Sequence, residues 1–260
     1  MTAIAADYTT SGFAIAADGK RHSRPEIAGE SSAQSKPSLH EQKVFKIQNP
    51  GRVIAYALSG TISSDDKKFN LIAKTKRCAD MLAVARCGDP WEYIHRFSGS
   101  ISEGFIKARR RGSFRSFLTD DYLADSDGTF LVATIIFLGY YEHSAFWGTA
   151  TVRHRNQTIV DPTIWVETPV VGGNVIWSGS RVIYKMIFEL KDVRFANYIG
   201  SPREHNSLTE TVARVKGWIE GQCSSEAAAL DAFCREQVGG HIHIATVTPN
   251  GFRWEIRPTR

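Results

Sequence analysis

Residues 1–18 read MTAIAADYTTSGFAIAAD, and this stretch decides the fold. Two apolar runs flank a short polar turn, and Gly12 helps the chain to reverse its direction. The pattern predicts a β-hairpin that begins at the start of the chain.

Thr2 directly follows the initiator Met, and a residue as small as Thr usually permits removal of that Met. The mature chain would then begin with a free Thr amine beside its own hydroxyl. Such a residue can act as a nucleophile with its α-amine as the base. The alternative is an edge strand in which Thr2 is only the first polar residue.

The composition is that of a globular protein, with 42% hydrophobic and 23% charged residues among 260. The longest apolar runs, such as residues 131–141, are too short to cross a bilayer. The N-terminus lacks the basic region and the continuous apolar region of a signal peptide. The four cysteines form neither a CxxC pair nor a metal-like group with histidine, which favours reduced thiols. We therefore predict a cytoplasmic protein with no membrane partner.

Charge and histidine patterns give no sign of a nucleic-acid or metal site. The net charge is +5, but Lys and Arg are scattered, and the densest cluster (residues 107–115) falls where a helix is predicted to end. His241 and His243 alternate on a predicted strand as two metal ligands would, yet no third ligand lies nearby in the sequence. We therefore predict no nucleic-acid partner, no metal and no cofactor.

The order of predicted elements is strands, two helices, strands, helices and strands. A polar loop at about 19–42 follows the first hairpin, and strands are expected near 43–47 and 52–60. One helix is expected behind an N-cap at Ser64–Asp66 and another over 90–110. Strands then follow over 130–141 and 145–154, with a less regular run at 159–166 that Pro162 interrupts. Helices are predicted over 181–198, from 207 and from 224 or 225, before a closing hairpin around Asn250–Gly251.

This order predicts an α+β fold in which strands from both ends of the chain share sheets. The expected architecture is a four-layer αββα sandwich of two mainly antiparallel sheets between helix layers. No internal repeat or linker divides the sequence. We therefore predict a single domain over residues 1–260, with a polar loop insertion at about 19–42.

An ordered set of motifs resembles the proteasome β-subunit family of N-terminal-nucleophile (Ntn) hydrolases. The run Gly12–Asp18 is similar to the returning strand of that family, which ends in Asp. Lys43–Ile47 matches a strand of the form Lys-Val-x-x-Ile, and Leu58–Asp65 is similar to a strand that ends in Ser-Gly with an acid shortly after. Gly179–Ser180 resembles the family's later Gly-Ser. The segment from Glu226–Ala227 through Gly239–Gly240 to the last hairpin resembles the family's C-terminal part.

The resemblance implies a role for each of these positions. Thr2 would be the nucleophile, and its α-amine, with an ordinary pKa of about 8, would accept the hydroxyl proton. Lys43 would lower the pKa of both groups, and Asp18 would hold Lys43 in place. The backbone N–H of Gly60 would donate to the oxyanion. Ser180 would bind the Thr amine or a bridging water.

Two departures from the family pattern stand out. The family's Asp-x-x-Ser-Gly-Gly stretch occurs here as residues 235–240, where Arg235 and Val238 replace the Asp and the Ser. Glu236 could replace the Asp with a shift of one position. The loop at 19–42 is longer than the family's connection between Asp and Lys, so the cleavage preference does not transfer.

The sequence thus predicts a proteasome β-like threonine peptidase of the endopeptidase type, acting on peptide or protein substrates. By resemblance it would form a homo-oligomer, with a ring as one form. Three alternatives stay open. The chain could be a catalytically weakened structural or binding subunit, which the altered 235–238 segment favours. It could also be an Ntn amidase that acts on a small-molecule amide, or an unrelated α+β binding protein that shares only the strand order.

Overall fold

The computed structural model describes residues 2–20, 38–64, 66–117, 119, 124–172, 175–198 and 207–259. They form two compact units, each built on one sheet. The first unit comprises the described parts of Met1–Phe45, Val170–Thr248 and Phe252–Arg260, and the second comprises those of Lys46–Pro169 and Pro249–Gly251. The single domain over 1–260 stays a prediction. Most of the predicted insertion at 19–42 lies outside the described residues.

Eleven strands and six α-helices occur in the described ranges. The strands are β1 (Ile4–Thr9), β2 (Gly12–Ala17), β3 (Val44–Asn49), β4 (Arg52–Gly60), β5 (Phe130–Tyr141), β6 (Ser144–Arg155), β7 (Thr158–Ile159), β8 (Thr163–Glu167), β9 (Ile176–Ser178), β10 (His243–Thr248) and β11 (Gly251–Ile256). The helices are α1 (Leu71–Ala83), α2 (Pro90–Arg110), α3 (Arg181–Tyr184), α4 (Leu208–Cys223), α5 (Ser225–Leu230) and α6 (Ala232–Gln237).

The first unit is organised around the hairpin that the opening stretch predicts. Its five-stranded sheet has the order β11-β10-β2-β1-β9, and β1 and β2 pair antiparallel from Ile4 opposite Ala17 to Thr9 opposite Gly12. Gly12 has φ +143°, and a Cβ there would lie 2.5 Å from the carbonyl oxygen of Val247. Only glycine fits such a position without strain. The predicted hairpin is confirmed.

Small side chains on this hairpin allow a helix to pack closely on the sheet. Ala3, just before β1, and three alanines of the first two strands (Ala5, Ala14 and Ala16) share one buried cluster with Val215, Trp218 and Ile219 of α4. Alanine leaves room for these larger side chains, so the volumes of the two surfaces complement each other. The helix that begins near residue 207 is thereby held directly on the strand that follows Thr2.

Two predicted helices of the first unit are broken. The helix expected over 181–198 consists of α3, a π-helical turn (Lys185–Glu189) and a 3-10 helix (Val193–Tyr198). Lys191 has φ +48° between the last two segments, which ends the regular helix there. The helix expected from 224 or 225 divides into α5 and α6 at Asp231. That residue is extended, and its side chain accepts a hydrogen bond from the backbone N–H of Phe233 as an N-cap.

The second unit contains a six-stranded sheet with the order β3-β4-β5-β6-β7, on which β8 also pairs with β6. The helix predicted behind Ser64–Asp66 begins later, at Leu71, with Asn70 as its N-cap. Ser64 closes a turn instead, because its hydroxyl accepts from Phe69 N and donates to Asp66. The irregular run at 159–166 is two strands, β7 and β8, separated at Pro162.

The predicted fold class is confirmed as two antiparallel sheets with flanking helices. Helices α3 to α6 belong to the first unit, and α1 and α2 belong to the second. None of the helices in the described ranges combines the length and the hydropathy that a bilayer span requires.

Candidate active site

Asp18 is the centre of the candidate site in the first unit. It follows β2 directly, and its side chain is completely buried. Its backbone N–H donates to Ala3 O at 3.1 Å, which extends the hairpin by one pair. Its carboxylate accepts the backbone N–H groups of Ala3 (2.9 Å), Lys20 (3.3 Å) and Gly239 (3.1 Å). These donors fix the carboxylate beside Ala3, just before the start of β1.

Lys43 is the charge partner of Asp18. Its Nζ lies 3.2 Å from Asp18 Oδ1, and both side chains are almost fully shielded from solvent. The same Nζ donates to the carbonyl oxygen of Lys20 at 2.5 Å. The backbone N–H of Lys43 donates to Nε2 of His243, on β10, at 3.1 Å. The lysine is therefore held at both its main chain and its side chain.

Burial moves both members of this pair away from their ordinary pKa values. Desolvation raises the pKa of the Asp18 carboxyl, while Lys43 and the N–H groups of Gly239 and Ala3 oppose that rise. Desolvation lowers the pKa of the Lys43 ammonium, which Asp18 opposes. Each charge thus depends on the other, and loss of one would leave the other buried without compensation.

Thr2 is linked to this pair through its neighbour Ala3. It is only 3% exposed and immediately precedes Ala3, whose N–H donates to the same Asp18 oxygen that binds Lys43. Strand β1 also pairs antiparallel with β9, with Ile4 opposite Ser178. Continuing that register by two residues brings Thr2 level with Ser180. The hairpin therefore places Asp18, with its partner Lys43, beside Ala3, and the extended β1–β9 register places Ser180 level with Thr2.

Ser180 is the N-cap of α3 and has a polar network of its own. Its Oγ accepts the backbone N–H of Ile183 at 3.1 Å and donates to the carboxylate of Asp231. Its backbone N–H donates to Oε1 of Gln222 at 3.0 Å. Gln222 is completely buried at the end of α4. Side chains from two other elements therefore fix the position and the rotamer of Ser180.

Asp231, rather than Glu236, is the carboxylate that contacts Ser180. Glu236 is exposed and lies 3.8 Å from Arg235, and the structure does not bring it to Asp18 or Ser180. Asp231 lies five residues earlier, at the point where the predicted helix divides. A local signal existed, because Asp is a favoured N-cap residue. The motif at 235–240 does not reveal Asp231, because that residue lies four positions before it.

Gly60 belongs to the second unit, where it is the last residue of β4. Its φ is +102°, and a Cβ there would lie 2.4 Å from the carbonyl oxygen of Val132. These two facts explain why the position requires glycine. The role of its N–H as an oxyanion donor stays a prediction.

Two thiols of the first unit are electrostatically coupled to Asp18. Burial raises the pKa of both Cys223 and Cys234 to about 12, with the negative charge of Asp18 adding to the effect. Thiols of such high pKa stay protonated at neutral pH and are poor nucleophiles. They do not compete with a threonine hydroxyl for that role. All four cysteines of the chain are free.

Comparisons with known proteins support the fold. No protein-family model matches the sequence, and no curated protein matches it. Among solved structures, the Anbu (Gly-1) mutant from Hyphomicrobium sp. strain MC1 aligns with a TM-score of 0.50 at 15% identity, covering 100% of this chain and 86% of that one. Anbu (ancestral beta-subunit) from Yersinia bercovieri aligns with a TM-score of 0.49 at 11% identity, covering 98% of this chain and 88% of that one. The chain thus has, over its full length, a fold similar to that of the Anbu structure from Hyphomicrobium.

Proposed function

We propose that the protein is an N-terminal threonine hydrolase of the endopeptidase type, active after Met1 has been removed. The observation that carries this proposal is the buried ion pair of Asp18 and Lys43. A hydrogen bond from Ala3 N–H ties this pair to the residue after Thr2. A buried ion pair adds little net stability, so its presence beside a candidate nucleophile favours a chemical role.

The chemistry follows from these groups. The Thr2 hydroxyl oxygen attacks the carbonyl carbon of a peptide bond while the α-amine accepts its proton. The Lys43 ammonium lowers the pKa of the hydroxyl and of the amine by its positive charge, and Asp18 fixes its position. The tetrahedral intermediate collapses to an ester on Thr2, and the departing amine takes the proton from the α-ammonium. Water then hydrolyses the ester and restores the free hydroxyl.

Ser180 supplies a further polar group of the proposed site in the first unit. The hydroxyl proton of Ser180 is directed to Asp231, which leaves an oxygen lone pair to accept from the Thr2 ammonium or a bridging water. The N–H of Gly60 would donate to the oxyanion during attack. We further propose that the protein acts in the cytoplasm on peptides or proteins, as a homo-oligomer for which a ring is one form.

One observation favours a second candidate, a catalytically weakened structural or binding subunit. Val238 stands where the resembled family has Ser, and it is 4% exposed within the apolar cluster of the first unit. Its side chain cannot hydrogen-bond to an amine, so the proposed nucleophile lacks one of the supports that the resemblance implies. Ser180 and Asp231 would then have to supply that support alone.

Covalent capture by an electrophilic inhibitor tests the proposal. We expect an epoxyketone peptide to add once per chain in the wild type, and we expect Thr2→Ala to abolish the adduct. Thr10→Ala, in the exposed turn of the same hairpin, is the matched control and should retain it. An adduct that persists in Thr2→Ala would place the nucleophile elsewhere. Turnover of a small amide faster than any peptide would favour an amidase instead.

A further inference from the structure

A cavity of about 370 Å³ lies in the first unit beside the C-terminal segment. The residues that line it are His40, Gln42, Trp254, Arg257, Pro258 and Thr259. Hydrogen bonds hold its walls together: His40 Nδ1 and Thr259 Oγ1 are 2.6 Å apart, and His241 Nε2 and the carbonyl oxygen of Arg257 are 2.7 Å apart. Its volume is within the range that accommodates small ligands.

The lining offers one cationic group and one large aromatic ring. Trp254 offers a half-buried indole, and Arg257 offers a guanidinium that suits bidentate recognition of a carboxylate. The amide of Gln42 adds polar capacity. None of the described residues that line the cavity is acidic, so an anion would meet no like charge there. A single guanidinium beside one aromatic ring matches a monovalent aromatic carboxylate better than a polyphosphate.

The cavity is also connected to Lys43 by two routes. Gln42, which lines the cavity, immediately precedes Lys43, and its side chain donates to Val44 O at 2.7 Å. The ring of Trp254 lies 6.1 Å from that of His243 in an edge-on arrangement. His243 in turn accepts the backbone N–H of Lys43 at 3.1 Å. A ligand that moved Trp254 would therefore act on Lys43 through His243, which accepts its backbone N–H. A ligand that moved Gln42 would act on Lys43 directly through the chain.

We propose that this cavity binds a small aromatic carboxylate, and that its occupancy adjusts the position of Lys43 and thereby the reactivity of Thr2. The binding clause states that the cavity takes an aromatic carboxylate, and it does not depend on the proposed function. The regulatory clause states that occupancy alters Lys43 and Thr2, and it rests on the proposed function. The ring stacks on or against Trp254, and the carboxylate pairs with Arg257. Thr2 is not among the residues that line the cavity, so the ligand acts as an effector rather than as a substrate.

Calorimetric titration tests the binding clause, with the full chain carrying Thr2→Ala so that no turnover can occur. The probes are N-acetylphenylalanine and its primary amide, which differ only in the carboxylate. We expect the acid to bind at least about tenfold more tightly than the amide, because a charge-assisted bidentate pair is lost in the latter. Equal affinities, or no heat at the solubility limit of the acid, would overturn the binding clause.

Variants of two arginines on the same C-terminal segment locate the site. Arg257→Ala should weaken binding of the acid at least about tenfold. Arg257→Lys keeps the charge but loses the planar pair of guanidinium donors, so its affinity should lie between those of the wild type and Arg257→Ala. Arg253→Ala is the matched control, because Arg253 is 75% exposed, pairs with Glu255 and does not line the cavity. Binding unchanged in Arg257→Ala, with circular dichroism showing a folded chain, would overturn the assignment of the site.

The rate of epoxyketone addition to the wild-type chain tests the regulatory clause. Saturation with the acid should change that rate at least about threefold, and Arg257→Ala should remove the effect. An unchanged rate in a protein that binds the acid would overturn the regulatory clause. If no adduct forms at all, the proposed function fails, whereas the binding clause still stands on the titration.

Discussion

The buried imidazole of His243 gives the sharpest prediction of stability. Its Nε2 accepts the backbone N–H of Lys43, and its side chain is almost fully shielded from solvent. Desolvation, reinforced by the positive charge of Lys43, lowers the pKa of His243 from 6.5 to about 3. The folded protein therefore holds this histidine neutral under conditions in which the unfolded chain protonates it.

The size of the effect follows from proton linkage. Because the folded pKa lies below the unfolded one, the stabilising contribution is fully present above pH 6.5 and is lost as the pH falls from 6.5 towards 3. At pH 5 the unfolded imidazole is almost fully protonated and the folded one is not. The resulting loss in the free energy of unfolding is about 2 kcal/mol relative to pH 7.5. This value changes little for any folded pKa below about 4.

Urea denaturation at pH 7.5, 6.5, 5.5 and 5.0 measures this loss. In His243→Gln, the amide oxygen can still accept the Lys43 N–H, but the titrating group is gone. We expect the wild type to lose about 2 kcal/mol more than this variant between pH 7.5 and pH 5. His143→Gln, at an exposed turn, is the control and should keep the wild-type dependence. Parallel pH profiles for the wild type and His243→Gln would refute the reasoning.

Three further predictions concern the candidate site. Lys43→Met should lower the free energy of unfolding by about 3–5 kcal/mol, because it leaves the Asp18 carboxylate buried without its partner. Adding Asp18→Asn should recover more than half of that loss in urea denaturation, and strictly additive losses would contradict a coupled pair. Asp231→Asn keeps an N-cap but removes the charge that accepts the Ser180 hydroxyl, so epoxyketone addition should slow about 10- to 100-fold with little change in the urea midpoint. Val238→Ser should accelerate addition at a cost of about 1–3 kcal/mol for burying a hydroxyl, and an unchanged rate would show that this valine does not limit the site.

Local patterns were sufficient for much of the fold. The opening hairpin could be predicted because two apolar runs, a polar turn and a glycine in a crowded left-handed position all favour the same reversal. The long strands β5 and β6 could be predicted for a similar reason. The predicted helix boundaries were less accurate than the predicted strands. The residue types at Ser64 and Asp231 are equally suited to capping a helix and to closing a turn. Only their three-dimensional partners decide between these roles.

The candidate site was partly accessible from the sequence. Asp18, Lys43 and Ser180 could be named because their spacing resembles a known order of motifs. Gln222 could not be named, because a buried glutamine at a helix end has no sequence signature until its partner is known. The same holds for His243, whose role depends on a hydrogen bond to a residue 200 positions away. Long-range polar contacts were thus the part that sequence patterns did not predict.

The identity of the modified N-terminal residue tests the central claim most directly. The chain is treated with an epoxyketone peptide, digested, and its N-terminal peptide is sequenced by mass spectrometry. The account predicts a peptide that lacks Met1 and carries the adduct on Thr2. A chain that retains Met1, or an adduct on any other residue, would contradict it.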